Sequence, residues 1–259
     1  MDTTQGWEWF ITKFESLSKI DLNAYKRPQM ERRINSFMKS ANIGNYSDFI
    51  SQMGTDRILY QRFIEHITIN VSEFFRNLNQ WSVLEKDILP ALYKERSALR
   101  VWSAGCSTGE EAYSLAMLFK EKFNVRIETI LATDIDNEVL EKASIGLYAE
   151  KALQTLPAEY LNKYLIREGD CYRINDSIKK LVHFKRHDLL KDIFPKDYDL
   201  ILCRNVVIYF TEGTKQKLYQ RFANALRPGG IIFIGSTEQI FQSRELGLES
   251  VATFFYRKI

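Results

Sequence analysis

The fold is decided by the stretch Leu99-Arg100-Val101-Trp102-Ser103-Ala104-Gly105-Cys106-Ser107-Thr108-Gly109-Glu110-Glu111. Its apolar first part predicts a strand, and the apolar spacing after Glu110 predicts a helix that runs to Lys122. A glycine-containing turn between a first strand and a first helix lets a ligand approach the backbone closely. The stretch therefore predicts an α/β domain with a ligand site beyond the carboxyl end of this strand.

Strands and helices alternate from this stretch towards the C-terminus. The pattern predicts strands at 99–103, 127–132, 198–203, 231–234 and 252–257, and helices at 110–122, 137–143 and 215–226. Such an order predicts a doubly wound, mostly parallel sheet. Residues 172–174 and 181–184, joined by a polar turn at 175–177, predict a hairpin. We place it in a small antiparallel β-subdomain inserted at about 165–185.

The first part of the chain predicts helices only. Apolar residues recur at helical spacing around Phe10, Phe37, Phe49 and Phe63, and Asn45 is a suitable cap for the third helix. A longer helix from about residue 80 to 93 links the two parts. We therefore predict an all-α N-terminal domain over residues 1–78 and the α/β domain over 79–259.

Composition excludes several classes of function. Among 259 residues, 36 Lys and Arg face 33 Asp and Glu, a net charge of +3 that requires no nucleic-acid partner. The cysteines and histidines are dispersed, so no metal site is predicted. The sequence has no signal-peptide pattern and no apolar run long enough to span a bilayer. We expect a cytoplasmic protein without membrane insertion.

The turn before Glu110 and Glu111 disfavours phosphate ligands. A P-loop has Lys after its last glycine, where this chain has Glu110, and a dinucleotide site needs GxGxxG. Two carboxylates at a helix N-terminus also repel a phosphate. A ligand with positive groups fits, and the sulfonium and ammonium groups of S-adenosylmethionine are such a pair. The alternative is a tight turn capped by acidic residues.

Polar residues follow three later strands. Asp134 lies at the tip of the second strand, where an acid can accept both ribose hydroxyls, and is preferred over Asp136. Asp188 could accept a hydrogen bond from an adenine amino group with Leu189 against the ring, although a turn-forming Asp is equally consistent with the sequence. Asn205 and Tyr209 follow the strand at 198–203 and are site candidates on the same ground.

One further motif, Asn70-Val71-Ser72-Glu73-Phe74-Phe75-Arg76, precedes the linking helix. Its polar residues could cross the cofactor site, and Arg76 could bind a carboxylate with both arms of its guanidinium. The alternative is a surface loop anchored by Phe74 and Phe75.

Four of these motifs together resemble the signatures of the chemotaxis receptor methyltransferases. They are residues 72–76, 103–111, 132–136 and 203–210, in matching order and spacing, and the resemblance covers nearly the whole chain. It implies a helical N-terminal domain, an S-adenosylmethionine-binding α/β domain with an inserted β-subdomain, and methyl transfer to glutamate side chains. The implied partners are the cytoplasmic signalling domains of membrane receptors, the implied product is S-adenosylhomocysteine, and we expect a monomer.

The resemblance also implies roles for individual residues. The implied cofactor contacts are Asn70, Ser72, Arg76, Glu110 or Glu111, Asp134, Asp188, Leu189, Asn205 and Val206. Position 72 is commonly Thr in the family, and Ser keeps the hydroxyl. The sequence leaves open which of the two glutamates meets the cofactor. Arg76 is our candidate for orienting the substrate carboxylate, with Tyr209 as a second catalytic candidate.

Substrate recognition is predicted from two features. A basic helix, which carries Lys26, Arg27, Arg32, Arg33 and Lys39, matches the family's surface for acidic receptor helices, although a merely solvated basic face is the alternative. The resemblance implies that family members which dock a receptor's C-terminal peptide carry a longer, glycine-rich loop in the β-subdomain. Residues 167–171 are short and contain one glycine, so we expect no peptide tether.

Two rival functions remain at this stage. A nitrogen methyltransferase often carries Asn/Asp-Pro-Pro-Tyr after the fourth strand, where this chain has Arg204-Asn205-Val206 without proline. A receptor-binding scaffold would keep the fold and bind cofactor without transferring methyl groups. The intact cofactor motifs count against a scaffold.

Overall fold

The structure, a computed structural model, describes residues 3–123 and 126–259. By contacts the chain forms two compact units. The first contains the residues up to Ile69 together with 209–215, and the second contains 70–208 and 216–259. The predicted boundary lies after residue 78, whereas the contacts divide the chain after Ile69.

The first unit is helical and is built on stacked aromatic rings. Its helices are α1 (Thr3–Ser18), α2 (Arg27–Ser40), α3 (Tyr46–Thr55) and α4 (Arg57–Thr68). Phe49 and Phe63 pack edge to face with ring centroids 4.7 Å apart, and Phe10, Phe14 and Phe37 surround them. The predicted cap is confirmed, because the Asn45 side chain accepts a hydrogen bond from the Asp48 amide.

Residues 209–215 belong to this unit through backbone pairing. The Lys26 amide donates to the Tyr209 carbonyl, and the Thr211 amide donates to the Ala24 carbonyl, both at 2.9 Å. The rings of Tyr25 and Phe210 lie 4.7 Å apart. Tyr209 is therefore held against the segment that precedes α2.

The second unit contains the predicted doubly wound sheet. Its helices are α5 (Leu78–Val83), α6 (Leu89–Glu95), α7 (Glu110–Leu118), α8 (Asn137–Ile145), α9 (Ala158–Tyr164), α10 (Asp176–Lys179) and α11 (Glu212–Ala225), whose first residues belong to the first unit. Its strands are β1 (Ala98–Ala104), β2 (Arg126–Asp134), β3 (Leu147–Ala149), β4 (Leu165–Glu168), β5 (Cys171–Ile174), β6 (Val182–Arg186), β7 (Tyr198–Cys203), β8 (Leu226–Ile234), β9 (Leu248–Ala252) and β10 (Phe255–Lys258).

The strands form two sheets. The seven-stranded sheet has the order β6-β2-β1-β7-β8-β10-β9, and the three-stranded sheet has the order β3-β5-β4. The central strand β7 is buried along its whole length, as a parallel strand covered on both faces should be. The predicted fold class, a mostly parallel α/β domain with a small antiparallel insertion after an all-α domain, is confirmed.

The hairpin predicted between 172–174 and 181–184 is wrong. β5 pairs with β3 and β4 in the small sheet, whereas β6 pairs in parallel with β2 in the main sheet. The polar residues between them begin α10, because the Asn175 side chain caps the Ile178 amide. The inserted sheet therefore starts at Leu147 and ends at Ile174, earlier than the predicted 165–185.

Two other boundaries differ from the prediction. The linking helix contains a π-helical turn at Leu84–Ile88, in which the Leu89 amide donates to the Leu84 carbonyl. Pro90 follows at once, and because it lacks an N–H it cannot continue the regular ladder. The predicted last strand at 252–257 is two antiparallel strands, β9 and β10, joined at Phe254, whose φ is +71°.

No helix within residues 3–123 and 126–259 has the length and apolar character needed to cross a bilayer.

Candidate functional site

The candidate site lies at the carboxyl end of β1, where the strand order of the main sheet reverses direction. β1 runs parallel to β2 on one side and to β7 on the other, and the chain reaches those two strands by separate crossovers. The carboxyl ends of all three strands therefore meet at one edge of the sheet. In open α/β sheets this switch point is where ligands bind.

The turn after β1 has a glycine that no larger residue can replace. Gly105 has a φ of +83°, and a Cβ built on it would lie 2.4 Å from a methyl carbon of Val206. The amides of Gly105 and Cys106 both donate to the Thr133 carbonyl, at 2.8 and 2.9 Å. The turn is thus fixed between the ends of β2 and β7, which brings Val206 against it.

Glu110 and Glu111 face different partners in the first turn of α7. Glu110 accepts hydrogen bonds from the hydroxyls of Thr108 and Ser72, and its burial raises its pKa. Glu111 accepts from the Ser103 hydroxyl at 2.8 Å and pairs with Arg204 at 3.2 Å. Glu111 therefore lies between the ends of β1 and β7, whereas Glu110 faces the segment that contains Ser72.

The two acids after β2 have separate structural partners. Asp134 accepts from the amides of Ser107, at 2.9 Å, and Asp136, at 3.1 Å, and burial raises its pKa. Asp136 caps α8 and accepts from the Asn70 side chain at 2.9 Å. A carboxylate offers more acceptor positions than two amides use, so Asp134 can still accept hydroxyl donors.

The segment at 70–76 lies across these acids. Phe74 and Phe75 are buried as anchors, and the Phe75 amide donates to the Ser114 hydroxyl at 2.9 Å. Asn70 and Ser72 reach Asp136 and Glu110, as the preceding contacts show. The Arg76 side chain is half-buried and, among the described residues, has no carboxylate partner. The segment is anchored by its phenylalanines as the alternative proposed, but its Asn70 and Ser72 side chains contact acids of the site.

The loop after β6 reaches the same edge. The His187 amide donates to the Asp134 carbonyl at 2.9 Å. Asp188 is buried, and one of its oxygens accepts from the Leu190 amide at 2.8 Å, which is the turn-forming role that the sequence left open. Leu189 is buried beside it.

Sequence reasoning missed the residue that holds the loop after β7. The buried Glu238 accepts from the amides of Asn205 and Val207, both at 3.1 Å, and from the amide of Gly235 at 2.6 Å. Burial raises the pKa of Glu238. Asn205 has a φ of +59°, so this carboxylate stabilises a loop in the left-handed region. A glutamate in a polar Gly-Ser-Thr-Glu stretch gives no signal of burial.

The first unit holds the remaining candidates, and they differ in accessibility. Arg27 pairs with Glu31 at 3.3 Å and Glu8 at 3.6 Å. The Arg33 guanidinium donates to the His66 carbonyl, and His66 Nε2 lies 3.1 Å from the Arg33 carbonyl. Burial lowers the pKa of Arg33.

Two of the five basic residues predicted for receptor binding face solvent. Arg32 and Lys39 are exposed and have no acidic partner in the described part of the chain, whereas Lys26 is half-buried. The exposed basic surface is therefore smaller than the five residues of the sequence prediction.

The donor set fits S-adenosylmethionine. Four carboxylates, those of Glu110, Glu111, Asp134 and Asp136, lie at this edge, and Arg204 pairs with one of them. Such a set accepts hydroxyl groups and balances positive charge, while Arg76 can bind a carboxylate. No cluster of three or more His, Cys, Asp or Glu able to hold a metal ion occurs among the described residues.

Comparisons with known proteins agree with this geometry. The family model described as CheR methyltransferase, all-alpha domain, matches residues 5–68, and that described as CheR methyltransferase, SAM binding domain, matches residues 70–253. The chain is 45% identical over 240 residues to a chemotaxis protein methyltransferase of Listeria innocua, covering 92% of each chain. It is 36% identical to the one of Borreliella burgdorferi, over 91% of this chain and 88% of that one. It is 32% identical to the one of Escherichia coli, over 85% and 79%. The chain therefore belongs to the CheR family of chemotaxis protein methyltransferases, whose larger domain binds S-adenosylmethionine.

Proposed function

We propose that the protein transfers a methyl group from S-adenosylmethionine to glutamate side chains of chemotaxis receptors and forms glutamate methyl esters. The observation that carries the proposal is Arg76, a half-buried arginine that ends the segment whose Asn70 contacts Asp136 and that has no carboxylate partner among the described residues. A guanidinium in that position is suited to a planar carboxylate.

The proposed reaction requires no proton transfer to or from the protein. When bound, S-adenosylmethionine supplies an electrophilic methyl group. A glutamate side chain, with a pKa of about 4.3, is already an anion near pH 7 and needs no general base. One carboxylate oxygen would accept the methyl group, and S-adenosylhomocysteine would be the product released. The protein's task is to align and desolvate this oxygen, which is the role we assign to Arg76, with Tyr209 as the second candidate.

The exposed basic surface of α2 is proposed to bind the acidic receptor helices. Arg32 and Lys39 lie seven residues apart, two helical turns, on one face and are free of acidic partners among the described residues. Charge complementarity of this kind chiefly accelerates encounter and fixes orientation. Arg27 and Arg33, also predicted for this surface, have partners inside the first unit and should contribute less.

Charge reversal tests this surface. The pair Arg32→Glu and Lys39→Glu should raise KM for receptor-containing membranes about 10-fold at low salt, with kcat unchanged and the difference shrinking as salt is added. The matched control is Lys13→Glu with Arg57→Glu, two exposed positions in the same unit that give the same change in net charge. Equal KM values for the two double variants would remove α2 from receptor binding.

The small sheet is proposed to work without a receptor peptide tether. Its edge strand β4 and its central strand β5 are joined by only Gly169 and Asp170, whereas the resemblance associates tether docking with a longer, glycine-rich loop. We expect calorimetric titration with receptor C-terminal peptides to give no binding at micromolar concentrations. A relative that carries the longer loop serves as the positive control, and micromolar affinity for this chain would exclude tether independence.

The activity itself is tested by labelled methyl transfer to receptor-containing membranes, followed by mild alkali. Label released as methanol indicates a carboxyl methyl ester and supports the proposal. Alkali-stable label would indicate nitrogen methylation instead. Bound cofactor without any label on receptors would support the scaffold alternative.

A further inference from the structure

Arg204 is a buried cation directly after the buried strand β7. Its side chain is only 2% exposed. Nη1 donates to a Glu111 oxygen at 3.2 Å. Nη2 donates to the Arg76 carbonyl at 2.7 Å, the Gln80 side-chain oxygen at 3.1 Å and the Asn77 side-chain oxygen at 3.2 Å. One guanidinium thus joins the end of β7, the first turn of α7 and the segment that carries Arg76.

Burying this guanidinium is costly. Burial lowers the pKa of Arg204, the nearby positive charge of Arg76 lowers it further, and Glu111 acts in the opposite direction. The Nε–H is buried without a hydrogen-bond partner among the described residues. The guanidinium packs 4.5 Å from the ring centre of Phe233. Well-packed apolar side chains are often at least as stable as a buried ion pair, so stability alone does not explain an arginine here.

The backbone conformation around Arg76 must be stabilised by contacts with other parts of the chain. Phe75 has a φ of +48° and Asn77 a φ of +63°, so residues in the left-handed region flank Arg76 on both sides. This conformation is unfavourable for a residue such as phenylalanine and persists only when the surroundings fix it. Arg204 binds the carbonyl of Arg76 and the side chain of Asn77, and Trp81 also donates to that carbonyl at 3.0 Å.

We propose that Arg204 is a positioning residue that fixes the Arg76 backbone and the Glu111 carboxylate relative to each other. The inference rests on the proposed function, in which Arg76 orients the substrate carboxylate. Arg204 does not touch substrate. It sets the direction of the Arg76 side chain, and it holds the Glu111 carboxylate between the ends of β1 and β7.

The test is Arg204→Lys, which keeps the charge but cannot bind all four acceptors. We expect kcat/KM to fall about 100-fold, as misplacing a substrate-binding group by roughly 1 Å can do. In an Arg76→Ala background, with S-adenosylmethionine saturating so that the contact with Glu111 does not contribute, the same change should lower kcat/KM for the receptor less than about 3-fold, because the substrate-aligning group that Arg204 positions is absent. The matched control is Arg227→Lys, another buried arginine paired with an acid, at the far end of β7.

Stability and cofactor affinity separate the outcomes. Arg227→Lys should lower Tm without lowering kcat/KM of the folded protein, and a merely structural Arg204 would behave in the same way. Should Arg204→Lys fail to fold, Asn77→Gly removes one acceptor while tolerating positive φ, and its loss of kcat/KM should likewise be smaller in the Arg76→Ala background.

Cofactor affinity, measured by calorimetry without receptor, should weaken about 10-fold in Arg204→Lys, since Glu111 loses its fixed partner. Wild-type affinity together with wild-type kcat/KM, or losses that add fully with Arg76→Ala, would overturn the proposal. If the wild-type protein transfers no base-labile methyl group, the proposed function fails. In that case cofactor affinity alone tests the positioning role of Arg204, and an unchanged affinity in Arg204→Lys would overturn that role.

Discussion

Arg76→Ala is expected to lower kcat/KM for receptor methylation about 100-fold or more, because a substrate-aligning cation is lost. The fold should survive, since the Arg76 carbonyl, which binds Arg204 and Trp81, is retained. Methyl transfer to receptor membranes and thermal unfolding measure the two quantities. Arg76→Lys should recover only part of the activity, because an ammonium cannot bind a carboxylate through two parallel hydrogen bonds.

Calorimetry then shows which carboxylate Arg76 binds. Weaker cofactor binding by Arg76→Ala would indicate the carboxylate of S-adenosylmethionine, and unchanged cofactor binding would indicate the receptor glutamate. The matched control is Arg244→Ala, an exposed arginine away from the strand ends, which should leave every value unchanged. Wild-type turnover of Arg76→Ala would remove both roles.

Asp199→Asn is expected to lower the free energy of unfolding by about 1.5–3 kcal/mol, the usual contribution of a hydrogen bond to a charged group, since Arg227 keeps Glu95 as a second carboxylate partner at 2.7 Å. Asp199 is fully buried, and it accepts from Arg227 Nε at 2.6 Å and from the Arg100 amide at 2.8 Å. An amide in its place turns a donor towards one of these donors and leaves the Arg227 guanidinium without its buried counter-ion.

Urea unfolding provides the measurement, with Asp197→Asn as the control. Asp197 pairs with Arg96 at 3.2 Å, but its side chain is 51% exposed, so this change should cost less than about 1 kcal/mol. Cofactor affinity of the folded Asp199→Asn protein should equal that of the wild type, because Asp199 is the second residue of β7 and the site lies at the other end of that strand. A loss below about 1 kcal/mol would show that Arg227 is stabilised by other groups.

The sequence was sufficient wherever local pattern determines structure. The buried strand β7, the glycine turn at Gly105 and the Asn45 cap each depend on a few neighbouring residues, and all three were predicted. The family inferred from four motifs is confirmed, as is the cofactor. The motifs are informative because chemistry restricts which residues can occupy a turn with positive φ or the tip of a strand.

The features that the sequence did not predict share a cause: each depends on a partner that is distant along the chain. Residues 182–186 have the alternation of a hairpin strand, but nothing local tells them to pair with β2 rather than with β5. Glu238 and Arg204 look like ordinary polar residues, and only the folded chain shows that each is buried among distant backbone amides or carbonyls. Arg204 did carry one signal, a charged residue directly after a wholly apolar strand end.

The acceptor of the methyl group is proposed to be a glutamate oxygen. The most direct measurement is tandem mass spectrometry of receptor peptides after reaction with isotopically labelled S-adenosylmethionine and the wild-type protein. We expect the labelled methyl on glutamate side chains, its loss after mild alkali, and its near absence with Arg76→Ala. A labelled methyl on lysine, arginine or amide nitrogen, or on no residue while the cofactor binds, would contradict it.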